Sequence, residues 1–299
     1  MKKSRIKYSL ISCLPGIALA NVAITQAEAT IASAPTIEQI AEDPSLFDES
    51  WDANKVVEIM EEKYDGDSSS SIITMTLKNS RGQERTRTMR SYRKDVGADL
   101  KDERMSTVFL KPDDIQDTTF LNYEYDNEAK EEESWLYLPS LKKSKRLSAS
   151  DKSDAFMGSD FSYNDLKTNH REYWNYQFIK KSEIIDGEDC WVIEGTPRED
   201  KLAKVRDETG YKKTRIWVQK SNFTKVRGQF WLLKGNRVKL YKATNYEKID
   251  GVWTPLLQQM VTTKNNRVEH ATTLHYSDVQ YNVEISDSFL TPYGIESRL

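Results

Sequence analysis

Two Asp-Gly pairs, Asp186-Gly187 and Asp250-Gly251, each stand between long runs with alternating apolar residues, and this constrains the chain more than any other feature. Asp-Gly readily takes the left-handed conformations that a two-residue hairpin turn requires, so the runs on either side must pair antiparallel. On this rule 175–185 pairs with 188–195, and 237–248 with 252–263. Lys234-Gly235-Asn236 and Asn265-Asn266 turn the chain around further strands at 224–233 and 267–281. Upstream the period is again two: Ile73, Met75 and Leu77 alternate with Thr74, Thr76 and Lys78, as a half-buried strand requires. Arg81-Gly82 turns into 85–93, where Thr86, Thr88, Arg90 and Tyr92 share one parity; 104–111, 118–125 and the short 135–138 follow, the last stopped by Pro139. These make about ten or eleven strands, nearly all joined to their sequence neighbour, with no internal repeat and no linker. Twisted strands in such a meander curl on themselves, which predicts a mainly β fold: a half-open antiparallel barrel.

Such a sheet needs cover on its concave face. Asp52 is placed to cap a helix whose Val56, Ile59, Met60 and Tyr64 form one apolar stripe. The second cover is the run 135–166, WLYLPSLKKSKRLSASDKSDAFMGSDFSYNDL. It passes from a strand through the basic residues Lys142, Lys143, Lys145 and Arg146 to Phe156, Met157, Gly158, Phe161 and Tyr163. A connection of this length is functional or disordered, and its aromatic content speaks for function. Both elements are expected to plug the concave face.

The N-terminus reads as an export address. Lys2, Lys3, Arg5 and Lys7 precede an apolar run at 10–24, and small-x-small sites at Ala18-Leu19-Ala20 and Ala27-Glu28-Ala29 can end it, the second leaving the longer apolar region. Ser12, Pro15, Gly16, Asn21 and Thr25 interrupt the run too often for a membrane span. Leu10-Ile11-Ser12-Cys13 also resembles a lipobox, which would lipidate Cys13. The expected organisation is a signal peptide at 1–29, a polar arm at 30–50 and one β domain at 51–299, working in the periplasm. Removing the signal takes four cations and Glu28, moving the net charge from −3 to −6, which suits neither nucleic acid nor an anionic membrane surface. It also leaves Cys190 without a disulfide partner, so the core alone must hold the domain.

Catalytic chemistry is poorly supplied. His270 and His275 differ by an odd number on one strand and face opposite sides, and His170 sits in a polar loop. No C-x-x-C, H-x-x-x-H or H-E-x-x-H spacing exists, so the histidines are expected to be solvated or partner-facing and no metal or cofactor is expected. Cys190, beside Trp191 and Val192, reads as a small core residue. Gly158-Ser159 lacks the G-x-S-x-G elbow. The acidic run from Asp126 to Glu133 lacks calcium-loop spacing and reads as solvated. No catalytic residue is assigned. The chain's 7 Trp, 15 Tyr and 9 Phe instead suggest an apolar cavity.

The run 135–166, together with 59–93, FLKPDDIQDTTFLNYEY at 109–125 and TPYGIE near the end, resembles the bacterial outer-membrane lipoprotein-sorting proteins, a periplasmic family similar to the carrier LolA. The likeness spans nearly everything after the first fifty residues. It implies an incomplete barrel wrapped over helices. It also implies a carrier for lipoprotein acyl chains or another lipid-like ligand, taking cargo from an inner-membrane exporter of ABC or RND type and passing it to an outer-membrane acceptor. Met75, Leu77, Phe156, Met157, Phe161, Trp217, Phe230 and Met260 are the expected cavity or gate residues, with Phe156 and Met157 as the gate. Lys142, Lys143, Lys145 and Arg146 are the expected partner contact. The carrier's gating arginine has three open counterparts, Arg90, Arg93 and Arg215. The alternative function is a sensor or docking module of an RND-type exporter or envelope-stress system, without cargo.

Overall fold

A computed structural model describes residues 35–127, 130–167 and 170–297. The export signal, its two cleavage sites and Cys13 therefore lie outside the described residues. Thirteen strands form one antiparallel sheet: β1 Ser68–Asn79, β2 Glu84–Val96, β3 Asp102–Lys111, β4 Thr119–Glu124, β5 Glu133–Leu138, β6 Lys143–Arg146, β7 Trp174–Ile185, β8 Glu188–Pro197, β9 Tyr211–Gln219, β10 Lys225–Leu232, β11 Arg237–Ile249, β12 Val252–Lys264 and β13 Arg267–Tyr281. The helices are α1 Ile37–Glu42, α2 Ala53–Glu62, α3 Leu202–Thr209 and α4 Pro292–Ser297. The hairpin rule holds at the turns that announced it. Asp186, Gly187, Asp250, Gly251, Asn265 and Asn266 all have positive φ, the backbone that matches a tight turn to the right-handed twist of its strands.

The sheet exceeds the expected strand count through β6 and β9. The basic run at 143–146 has the composition of a loop, yet it pairs with β5 from Trp135↔Arg146 to Leu138↔Lys143. Strand order runs from β6 back to β1, then β13 down to β7. The edges of the open barrel are thus β6 and β7, successive in the chain, and residues 147–173 cross from one edge to the other. This plug and α2 cover the concave face.

Helix α2 begins as its capping residue dictates: the Asp52 side chain accepts from the Lys55 amide at 3.1 Å. Val56, Val57 and Ile59 are fully buried with Trp191, Ile193, Ile216 and Val218 of β8 and β9, at roughly 1.5–3 kcal/mol for each large apolar side chain removed from water. Tyr64 departs from the expected stripe. The helix ends at Glu62, and Tyr64 is 50% exposed. The described part of the arm is ordered by two anchors, Ile40, which is buried in the same cluster, and Phe47, whose ring lies 4.9 Å from that of Trp191.

Three buried carboxylates pin the plug. Glu132, in the β4–β5 connection, accepts from Lys152 at 2.9 Å, from Lys167, and from His170 Nε2 at 2.6 Å. Asp160 accepts from His270 Nδ1 and Thr272 Oγ1, both at 2.7 Å, and from Thr262, tying the plug to β12 and β13. Asp165 accepts from Lys239 Nζ at 2.8 Å and from the Tyr211 hydroxyl at 2.6 Å, tying it to β11 and β9. The acidic run is therefore not wholly solvated, because Glu132 turns inward to meet the cations of the plug. His170 and His270 are likewise each bonded to a buried carboxylate, while 24% and 30% of their side chains stay exposed. The chain distance between these groups hides their meeting from any local reading.

Burial opposes charge on His170, but its hydrogen bonds to Glu132 and Glu172 outweigh this and raise it to about 9. Its contribution to stability is thus complete below its ordinary value near 6.5 and lost as pH rises through about 9. Urea unfolding at stepped pH should show wild type losing more stability than His170→Gln between those limits; parallel curves would refute the assignment. Lys152 and Lys167 are 7% and 2% exposed at the side chain, so Glu132→Ala leaves buried Lys167 without an ion pair among the described residues and Lys152 with only Glu208 at 3.8 Å. A loss of about 3–5 kcal/mol is expected, and a loss below about 1 kcal/mol, typical of an exposed pair, would show that the plug does not depend on this carboxylate.

Candidate functional site

Between plug and sheet lies a partly open cavity of about 240 Å³, with Phe156, Ser159, Phe161 and Leu166 on the plug side and β1, β2, β3, β12 and β13 opposite. Strand register orders its walls. Met75 pairs with Leu274, and Ile73 with Met89 and Tyr276, giving an apolar end. One pleat on, Ser71 faces Ser91, which faces Thr107; beyond them Ser69 meets Arg93 and Tyr281. Polarity therefore rises along the strands toward Arg93, as suits an amphipathic guest. A bulge near Asp278, whose φ is +51°, shifts the parity of β13 so that Val279 and Tyr281 join the lining.

Arg93 itself is occupied: its guanidinium lies 2.9 Å from Glu103, 3.1 Å from Asp65 and 3.3 Å from Asp95, and also donates to the carbonyls of Asp65 and Gly66. It closes the polar end as part of a charge network. Burial pushes the Asp95 carboxyl up to about 6, against the opposing pull of Arg93.

A smaller cavity of about 90 Å³ lies under α2, bordered by Glu61, Asp165, Tyr211, Lys225, Tyr241 and Phe230 among others. Phe161 and Gln258 border both cavities. The concave face is thus divided into two lobes by one plug side chain and one strand side chain.

Of the residues singled out from sequence, Met75, Phe156 and Phe161 line the larger lobe, and Phe161, Phe230 and Met260 the smaller. Leu77 is buried in the same core but borders neither. Phe156 packs as a wall, its ring 5.9 Å from Phe109, 5.8 Å from Phe120 and 5.4 Å from Tyr163. Met157 is half-buried in a left-handed turn with φ +49°. Trp217 is a correction. It pairs with Val192 and Arg227, a parity opposite to Ile216, and packs with Tyr246 against Ile185, Cys190 and Val226 on the other face. Lys142, Lys143, Lys145 and Arg146 are exposed along the β6 edge, Arg146 bonding Glu133 at 2.9 Å.

Met89 and Met105 were missed, although the parity opposite to Thr86, Thr88, Arg90 and Tyr92 would have pointed to Met89. Arg90 reaches Asp278, Arg93 the acidic network and Arg215 Glu194, whereas Arg87, near the start of β2, donates to the backbone carbonyl of Met157 in the plug. No group of histidine, cysteine and carboxylate ligands able to hold a metal exists among the described residues.

A family model with the description "Uncharacterized protein" matches residues 101–297. Among solved structures, a DUF1329 family protein from Desulfovibrio piger aligns at 28% identity and TM-score 0.72, over 81% of this chain and 97% of that one. A domain named for outer-membrane lipoprotein sorting from Vibrio parahaemolyticus aligns at 26% identity and TM-score 0.70, again over 81% and 97%. A LolA superfamily protein from Nitrosomonas europaea, 20% identical with TM-score 0.60 over 81% and 98%, shares the fold. No curated protein matches the chain.

The bond from Arg87 to Met157 ties the middle of the plug to β2. A hydrogen bond to a charged group contributes about 1.5–3 kcal/mol, so Arg87→Ala should speed amide exchange at 156–162 by roughly 10-fold or more while leaving β12 and β13 protected. Unchanged exchange in the plug would refute this role.

Proposed function

This chain belongs to the LolA-like family of outer-membrane lipoprotein-sorting proteins, and from that premise we propose that it is a periplasmic carrier for an acyl chain or similar lipid-like ligand, held between plug and sheet. In this reading residues 1–29 are the removable export signal and 51–299 the carrier domain. The supporting observation is the larger lobe, whose wall carries Met75, Met89 and Met105 and grades from apolar to polar along the strands. Methionine adapts its shape to irregular apolar guests. At about 0.8 kcal/mol per buried methylene, a ten-carbon stretch contributes about 8 kcal/mol before the cost of immobilising it. The lobe lies just below the usual 300–1,000 Å³ of small-molecule sites, so it suits one chain, and bulkier cargo requires the plug to move.

Tight burial makes release slow, because affinity resides mostly in the off-rate. Hand-over then calls for an inner-membrane exporter and an outer-membrane acceptor, and the exposed basic edge of β6 is the surface assigned to one of them. The reading assigns no reaction. Cys190 is buried with its thiol pushed up by burial to about 11, the reverse of an activated nucleophile. Among the described residues no helix is long and apolar enough to cross a membrane.

The test is displacement of a fluorescent fatty acid from the purified protein by oleate. Met89→Trp should fill the lobe and weaken binding at least 10-fold, while Trp217→Phe, on the other face, should leave it unchanged. No binding by wild type, or equal binding by Met89→Trp, would refute the carrier. Charge reversal at Lys142, Lys143, Lys145 and Arg146 should leave ligand affinity intact.

A further inference from the structure

The smaller lobe contains a cation that the fold has brought inside. Along β10 the pairs Phe230↔Thr214, Gly228↔Ile216 and Arg227↔Trp217 keep one register, which then slips by one residue so that Lys225 pairs with Val218. Val226 is the extra residue. Without this bulge Lys225 would share the outward parity of Arg227 and Gln229; with it, Lys225 joins Thr214, Ile216 and Phe230 on the lining. Its ammonium has no carboxylate within salt-bridge distance among the described residues and sits 5.2 Å from the centre of the Tyr241 ring.

The other cations of the concave face are committed. Arg93 is held by three carboxylates, Lys239 by Asp165, and Arg87 by the Met157 carbonyl. Glu61, across the lobe on α2, makes neither a hydrogen bond nor an ion pair among the described residues. Burial raises its carboxyl to about 8 and lowers Lys225, so near neutral pH Glu61 is mostly a neutral donor. A lobe of about 90 Å³ holds roughly three waters at about 30 Å³ each, the scale of one carboxylate. It abuts the larger lobe at Phe161 and Gln258, and Gln258 is oriented by the Tyr241 hydroxyl at 3.2 Å.

We propose that the smaller lobe is the head-group subsite of the carrier, where Lys225 pairs with a single anionic group, a carboxylate or phosphate, whose hydrocarbon chain passes between Phe161 and Gln258 into the larger lobe. The cargo is thus an anionic single-chain amphiphile. This rests on the carrier reading and adds the charge of the ligand to it.

The experiment measures binding of oleate and oleyl alcohol, which share a tail, to the full chain. Wild type should favour oleate at least 10-fold. Lys225→Met should abolish that preference while binding the alcohol within about twofold of wild type, and Lys225→Arg should retain it. If wild type binds both ligands equally, or Lys225→Met keeps the preference, the head-group subsite is overturned and the carrier stands. If neither ligand binds, both fall. Acetate and inorganic phosphate form the remaining arm: should either bind as tightly as oleate, the lobe serves a free anion and the proposal fails.

Discussion

The structure depends on carboxylates buried beneath a connection that would otherwise be free to lift. An open antiparallel sheet with edges at β6 and β7 has no hydrogen bonds across its gap, and the described residues between 147 and 173 contribute no strand of their own. Glu132, Asp160 and Asp165 supply what the missing ladder does not: Glu132, between β4 and β5, gathers three plug cations, and Asp160 and Asp165 of the plug bond to the sheet. A buried ion pair is a weak source of net stability but a strong source of position, since misplacing either partner leaves a charge unpaired. The plug is therefore fixed in register over the sheet at three places. The lobes are what remains around those fixed points.

Local chemistry was readable where it determines geometry locally. Asp-Gly and Asn-Asn pairs announced the hairpins, period-two alternation announced β1, and Asp52 announced α2. What escaped depended on distant partners or on a single inserted residue. Lys143, Lys145 and Arg146 have the composition of a solvated loop, yet β5 recruits them into a four-residue edge strand. Glu132 looked like one of several solvated acids until Lys152, Lys167 and His170 met it. Trp217 looked like a lining residue because strand parity cannot be assigned in absolute terms from an aromatic alone. Lys225 is not singled out by its sequence, because the slip at Val226 leaves no mark in composition.

The site was legible as a kind of surface but not as a list. Met75, Phe156, Phe161, Phe230 and Met260 border the lobes, because large apolar residues on strands of a covered sheet have few other places to go. Leu77 shares the core without reaching a lobe, and Arg87 acts through a backbone carbonyl, which no side-chain motif records. The family relationship accounts for the architecture.

Pairing of β1 with β13 has a further consequence. Ser69 lies against Tyr281 and Asn79 against His270, so the middle seam of the sheet joins segments about two hundred positions apart. Each flank, β1 to β6 and β7 to β13, is a ladder of neighbours that can form as it is synthesised, whereas the seam must wait for β13. Distant pairings of this kind are slow to close. Assembly is therefore two local zippers followed by one late long-range stitch, and until that stitch is made the two facing strands are raw edges.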